Sequence, residues 1–153
     1  MLVGLKRTGK STLADLIEGE VSDHRHREDC YFRTRTFEVP GGYVENHWMA
    51  KEVIMLGHNQ ACSQALLLDG STLESLYSAG YARAFTIPTL GVITKCEGLG
   101  EEERQAGVQK LTEVGCREIL CLSAKTGEGI DSYVRWVWGT LPDALRFEKQ
   151  ERR

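Results

Sequence analysis

Apolar residues along this chain alternate between short continuous runs and spaced patterns. Met1-Leu2-Val3 is an apolar strand stub. Ala65-Leu66-Leu67-Leu68, inside Ser63 to Asp69, is a run suited to a strand buried on both faces. Thr89-Leu90-Gly91-Val92-Ile93-Thr94, entered through Pro88, reads the same way, as does Glu118-Ile119-Leu120-Cys121-Leu122. Between these runs lie helical spacings. They cover Ser11 to Ile17, about 44–59, more weakly 71–84, and about 101–114, closed by Gly115. A last one at about 130–140 places Ile130, Tyr133, Val134 and Val137 on one face ahead of Pro142. Alternation of this kind predicts a three-layer α/β domain with a mostly parallel sheet and its ligand at the carboxyl ends of the strands.

The expected organisation is one domain over residues 1–141 and a tail over 142–153. The end of that tail, Phe147-Glu148-Lys149-Gln150-Glu151-Arg152-Arg153, reads as a frayed, solvated helix end. A central buried strand usually runs about 5–6 residues, and three residues precede Gly4. Residue 1 is therefore expected to be internal to a longer strand or trimmed from it.

Composition narrows the classes. The 153 residues are 41% hydrophobic, enough for a sizeable core. A net charge of −3 gives no broad field for nucleic acid or an anionic membrane, so neither is expected as a partner. No apolar run approaches the roughly 20 residues of a membrane span, and no signal peptide is visible. The five cysteines, Cys30, Cys62, Cys96, Cys116 and Cys121, are odd in number and form no C-x-x-C pair. They read as reduced thiols of a cytoplasmic protein, and their spacings do not suggest a zinc site.

Chemistry enters with Gly4-Leu5-Lys6-Arg7-Thr8-Gly9-Lys10-Ser11, which matches G-x-x-x-x-G-K-[ST] at every fixed position. Glycines let backbone close around a phosphate, and the following helix adds the positive end of its dipole. Gly4, Lys6, Arg7, Thr8, Gly9, Lys10, Ser11 and Thr12 are the candidate phosphate-binding residues. Lys10 would reach the β- and γ-phosphates, and the Ser11 hydroxyl would ligate Mg²⁺.

A GTPase would need further elements. Glu38-Val39-Pro40-Gly41 stands where D-x-x-G belongs. Read functionally, Ser11 ligates Mg²⁺, Glu38 meets it through water from a position displaced by one methylene, and the Gly41 N–H meets the γ-phosphate; read plainly, it is a Pro-Gly turn after a strand. Thr94-Lys95-Cys96-Glu97 stands at the end of a strand where N-K-x-D, whose Asp reads guanine, belongs, with Thr94 in place of Asn and Glu97 in place of Asp. Ser123-Ala124-Lys125 matches the S-A-K element whose backbone meets the guanine carbonyl. Thr94, Lys95, Glu97, Ser123, Ala124 and Lys125 are thus the candidate base-binding residues.

A magnesium-binding switch Thr is not evident. Thr34 and Thr36 lie too close to Glu38 and are expected within the strand. The His24-Arg25-His26-Arg27 run reads as a solvated mobile loop, with a metal or phosphate site as the sharper alternative. Arg33 and Arg35 are odd for a strand covered on both faces and suggest an exposed edge or a partner surface.

Pro40-Gly41-Gly42-Tyr43-Val44-Glu45-Asn46 is the most distinctive block. With the phosphate loop, Val92-Ile93-Thr94-Lys95 and Ser123-Ala124-Lys125-Thr126-Gly127-Glu128-Gly129-Ile130-Asp131, it resembles the EutP/PduV family of ethanolamine and propanediol utilisation. The resemblance covers nearly the whole chain and implies a small Ras-like P-loop fold. Family members usually read D-T-P-G-E-Y-V-E-N and T-K-x-D. This chain departs at Glu38, at Gly42, at Glu97, and in lacking a Lys-Thr-Gln-like switch stretch.

The resemblance implies a nucleotide-binding protein using GTP (or ATP) with Mg²⁺, accessory to a bacterial microcompartment. Its expected protein partners are shell or enzyme components. Intrinsic hydrolysis is expected to be weak or absent. Two other readings stand beside it: a phosphotransferase acting on a small carboxylate such as acetate, and a non-catalytic scaffold with a degenerate GTPase fold.

Overall fold

The computed structural model of the chain describes residues 1–147. Its strands are β1 (Leu2–Val3), β2 (Tyr31–Phe32), β3 (Phe37–Glu38), β4 (Gln64–Asp69), β5 (Thr89–Thr94) and β6 (Glu118–Cys121). They form one sheet in the order β2-β3-β1-β4-β5-β6. Every neighbouring pair is parallel except β2 with β3. Leu2 lies opposite Ala65, and Leu66 opposite Gly91.

Strand alternation divides the apolar runs between two cores. Ala65, Leu67, Leu90 and Val92 point to one face, where they meet Leu13, Ala14 and Ile17 of α1 (Lys10–Glu18). Tyr133 of the later helix over Ile130–Thr140 joins them. Leu66, Leu68 and Ile93 point to the other face and meet Val53, Leu111 and Val114. The helices on that side are α2 (Gly42–Glu45), α3 (Ala50–Gln60) and α4 (Glu101–Val114); the helix over Ile130–Thr140 is α5, and α6 spans Asp143–Phe147. The three-layer α/β arrangement is as the alternation predicts. All six residues of β4 are buried, because helices cover both faces of the central strands.

Differences from expectation have local causes. The helical spacing at 44–59 is interrupted: α2 ends at Glu45, and Asn46 after it is extended, with φ −104° and ψ 103°, its side-chain amide donating to the Gly42 carbonyl at 2.7 Å. A 3₁₀ turn over His47–Met49 then leads into α3. The weak pattern at 71–84 is mostly loop, with a 3₁₀ turn at Tyr81–Ala84 only. Asp69 takes the Ser71 N–H and hydroxyl at 2.8 and 2.6 Å, and Leu73 turns to φ 54°. Such local side-chain bonding offers the backbone an alternative to a helix.

Thr34 and Thr36 are not in a strand but in the turn between β2 and β3, closed by the Arg33 N–H to the Thr36 carbonyl at 2.8 Å. Pro142, Asp143, Ala144 and Arg146 are exposed, while the Leu145 carbonyl is tied to the domain by Arg35, which donates to it at 3.1 Å. The remainder of the expected solvated tail, 148–153, lies outside the described residues.

Candidate functional site

The phosphate loop joins β1 to α1 at the carboxyl edge of the sheet. It turns through two left-handed residues, Arg7 at φ 62° and Gly9 at φ 97°. Alternation of this kind gathers backbone N–H groups into an anion-binding concavity. Gly9 caps α1 without a side-chain acceptor, and no acidic residue stands in the first turn. The positive end of that helix is therefore left for an anionic ligand. Glycine is needed at two places for space. A Cβ on Gly4 would lie 2.6 Å from the Thr8 hydroxyl, and one on Gly41 would lie 2.7 Å from the Lys6 nitrogen.

Lys10 donates to the Gly4 and Leu5 carbonyls at 2.7 and 2.8 Å. Burial pulls its ammonium down from 10.5 to about 8, an effect that the Glu38 and Glu45 carboxylates partly offset. Ser11 donates to Glu38 Oε1 at 2.7 Å. The other oxygen, Oε2, is buried and has no hydrogen-bond partner. A buried unpartnered carboxylate oxygen is costly unless a charged ligand meets it. Beside a serine hydroxyl and a phosphate loop, it fits a hard divalent cation. No group of three His, Cys, Asp or Glu side chains able to hold a metal is found among the described residues. Ser11 and Glu38 would leave the other positions to water and phosphate oxygens, as magnesium prefers.

A cavity of about 600 Å³ opens over this loop. It brings together Lys6, Arg7, Gly9, Lys10, Ser11, Thr12, Glu38, Gly41 and Lys95 from the sequence-predicted set. His24, Arg25, His26, Arg27, Asp29 and Tyr31 complete much of the wall. Six lysines and arginines thus face two carboxylates, Asp29 and Glu38, a balance suited to a polyanion. Gly4 and Thr8 lie beneath the loop, where the Thr8 hydroxyl donates to the Leu5 carbonyl at 2.8 Å.

The other predicted residues flank this cavity. Thr94 is buried and donates to the Thr8 carbonyl at 2.7 Å, so the end of β5 braces the phosphate loop. Lys95, at φ 56°, reaches the Arg7 carbonyl at 2.5 Å and Asp69 at 2.7 Å. Asp69 was not singled out from the sequence, although an acid closing the apolar run of β4 was a usable signal. Glu97 takes a hydrogen bond from Ser123 at 2.8 Å and faces Lys125 at 3.8 Å. Local backbone and Ser123 hydrogen bonds hold its carboxyl below the usual range. Ala124 and Lys125 are exposed. The two loops that carry the candidate base-binding residues are joined by Arg104, which meets both Glu128 oxygens at 2.8 Å and the Cys96 carbonyl at 3.1 Å.

Arg33 and Arg35 have partners that the sequence pattern does not reveal. Arg33 pairs with Asp15 at 2.6 Å. Arg35 lies 3.9 Å from Glu18, and its guanidinium sits 5.4 Å from the Trp138 ring centre. Glu18 Oε1 also accepts the Thr36 N–H and hydroxyl, both at 2.8 Å. Acids on the polar side of α1 therefore fix the β2–β3 turn. The arginines are packed within the domain, so neither an exposed edge nor a partner surface is needed to explain them.

Comparison with known proteins gives consistent relatives. The family profile described as ethanolamine utilisation – propanediol utilisation matches residues 1–138. The propanediol utilization protein PduV of Citrobacter freundii is 26% identical over 135 residues, covering 86% of this chain and 87% of that protein. Among solved structures, a bacterial selenocysteine-specific elongation factor, EF-Sec, superposes with a TM-score of 0.57 at 22% identity. That match covers 93% of this chain but 28% of the elongation factor, so the chain spans under a third of its length. A probable GTP-binding protein, engB, also gives a TM-score of 0.57 at 16% identity, over 89% of this chain and 96% of its own. At these identities the structural likeness concerns the fold.

Proposed function

This chain belongs to the ethanolamine utilisation – propanediol utilisation family, and on that premise we propose that it is a small GTP-binding protein that uses Mg²⁺. The observation that carries the reading is the phosphate loop itself. Lys10 is held over an uncapped helix start, inside a cavity with a strong excess of positive charge. Lys10, the loop backbone and Thr12 would take the β- and γ-phosphates. Ser11 and Glu38 would hold the cation, which supplies charge neutralisation at the phosphates. Gly41 would approach the terminal phosphate through its backbone.

On the base side, Glu97 would accept from guanine, with Lys95 along the ring and Ser123-Ala124-Lys125 at its carbonyl edge. Ser123 already occupies one Glu97 oxygen. The carboxylate keeps acceptor sites for guanine, but its extra methylene relative to Asp displaces them from the bidentate geometry, and discrimination against ATP is correspondingly reduced. The name of the Citrobacter relative supports a setting in propanediol utilisation. There the protein would act as a switch or positioning factor for microcompartment shell or enzyme proteins.

Turnover is expected to be slow. Gly42, the residue after Gly41, carries no side chain to orient water. Intrinsic hydrolysis should be at or below the ~10⁻⁴ s⁻¹ of an unassisted Ras.

Glu38 provides the test. GTP affinity of the parent should rise about tenfold or more when Mg²⁺ is added, and Glu38→Gln should lose most of that gain while binding metal-free GTP at least as well. Calorimetric titration with and without Mg²⁺ measures both. A Glu38→Gln protein with the parent's full magnesium gain would remove Glu38 from the metal site.

A further inference from the structure

The segment between α1 and β2 carries charge that the phosphate loop does not use. We propose that Arg27 recognises the terminal phosphate of a bound nucleoside triphosphate, reaching it from within the same chain. The inference rests on the nucleotide reading above and adds to it a residue outside every motif.

Placement comes first. Arg27 lines the same cavity as Lys10 and Ser11. Its guanidinium lies 3.6 Å from the centre of the Tyr31 ring, and its side chain is 21% exposed. Tyr31 sits directly opposite Glu38 in the β2–β3 pairing. The platform under Arg27 is therefore attached to the strand that presents the metal-side carboxylate. Stacking on a ring fixes the plane of a guanidinium and leaves its edge donors available for a phosphate fork.

The segment is also tied down at its start. Asp15 accepts the Ser22 N–H at 3.1 Å and Arg33 at 2.6 Å, and it pairs with His24. Arg27 thus projects from a loop anchored on α1 at one end and on the sheet at the other.

Its present partner is weak and shared. Asp23 takes Arg27 at 2.7 Å and Arg25 at 3.0 Å, and its own side chain is 51% exposed. One exposed carboxylate cannot occupy the five donors of Arg27, and exposed pairs of this kind are weak. A phosphate dianion offers more charge and a bidentate geometry. Among the described residues no ring lies beneath Arg25, and its side chain is 75% exposed, so it lacks the fixed position that selects Arg27.

Nucleotide discrimination follows. Lys10 and the loop hold the β-phosphate, which a diphosphate also carries, as well as the γ-phosphate. Arg27 meets the γ-phosphate alone, so its loss falls on the triphosphate. Fluorescent GTP and GDP analogues, titrated with Mg²⁺ into the purified chain, read both affinities. Arg27→Ala should lose about tenfold or more in triphosphate affinity and stay within about twofold for the diphosphate. Arg27→Lys should recover little, because it keeps the charge but not the fork. Arg25→Ala should leave the triphosphate-to-diphosphate ratio unchanged. Tyr31→Leu, which keeps Arg27 but removes its platform, should give an intermediate loss. Thermal melting of each variant checks the fold.

Equal loss for both nucleotides in Arg27→Ala, or no loss for either, would overturn the proposal while leaving the nucleotide reading intact. Failure of the parent to bind either nucleotide, or parent-like binding by Lys10→Ala, would overturn the nucleotide reading and the role of Arg27 with it.

Discussion

Lys10 is coordinated by the loop it belongs to, 2.7 Å from the Gly4 carbonyl and 2.8 Å from the Leu5 carbonyl. Two neutral carbonyls do not restore the solvation that a buried ammonium loses, and its pKa falls to about 8. A phosphate would restore the charge. The ligand-free protein must then take up a proton to bind whenever the pH exceeds about 8. Binding favours the protonated form, so affinity is full below that pH. It falls as pH rises, by up to tenfold per unit until the bound-state pKa is reached. GTP dissociation constants at pH 7, 8 and 9 should therefore climb mainly over the last interval. Lys10→Arg, whose charge does not titrate there, should flatten the curve even if it binds less tightly. A parent protein with equal affinity at pH 7 and pH 9 would show that Lys10 is not what the phosphates meet.

Elements explain which features were legible in the sequence. β4 and β5 were readable because buried parallel strands are continuous apolar runs, and their six-residue lengths agree with the pattern to within a residue. The phosphate loop was readable because its residue types are dictated mainly within the loop, by the left-handed backbone at Gly9 and by the Thr8 hydroxyl that closes on Gly4. The break between α2 and α3 was not, because apolar spacing continues across Asn46 while the backbone turns. Nor was the loop after β4, where Asp69 and Ser71 bond locally against a helix. Arg33 and Arg35 were opaque for a different reason: their partners, Asp15 and Glu18, are distant in sequence. Gly129 gives the element-scale prediction. It caps α5 at φ 72°, and a Cβ there would lie 2.2 Å from the Cys121 carbonyl oxygen. Gly129→Ala must move the S-A-K loop away from β6, at a cost of roughly 3 kcal/mol. Its melting temperature should fall by roughly 10 °C. A shift under about 2 °C would mean that the loop gives way freely and does not hold the base-side residues in place.

At the scale of the molecule, the sheet order puts the phosphate loop between β3, which bears Glu38, and β4, which ends in Asp69, with Lys95 following β5 beyond it. Thr94 and Lys95 bind the loop's own carbonyls from two strands away. The carboxyl end of the sheet thereby ties together the candidate phosphate, metal and base residues. Among the described residues no helix is long and apolar enough to cross a membrane. The central claim is that this edge binds a nucleoside triphosphate through Lys10. Equilibrium titration of GTP with Mg²⁺ into the parent and Lys10→Ala proteins tests it most directly. Saturable one-to-one binding by the parent and its loss in a Lys10→Ala protein with unchanged circular dichroism is the expected result. Equal binding by the two proteins would contradict it.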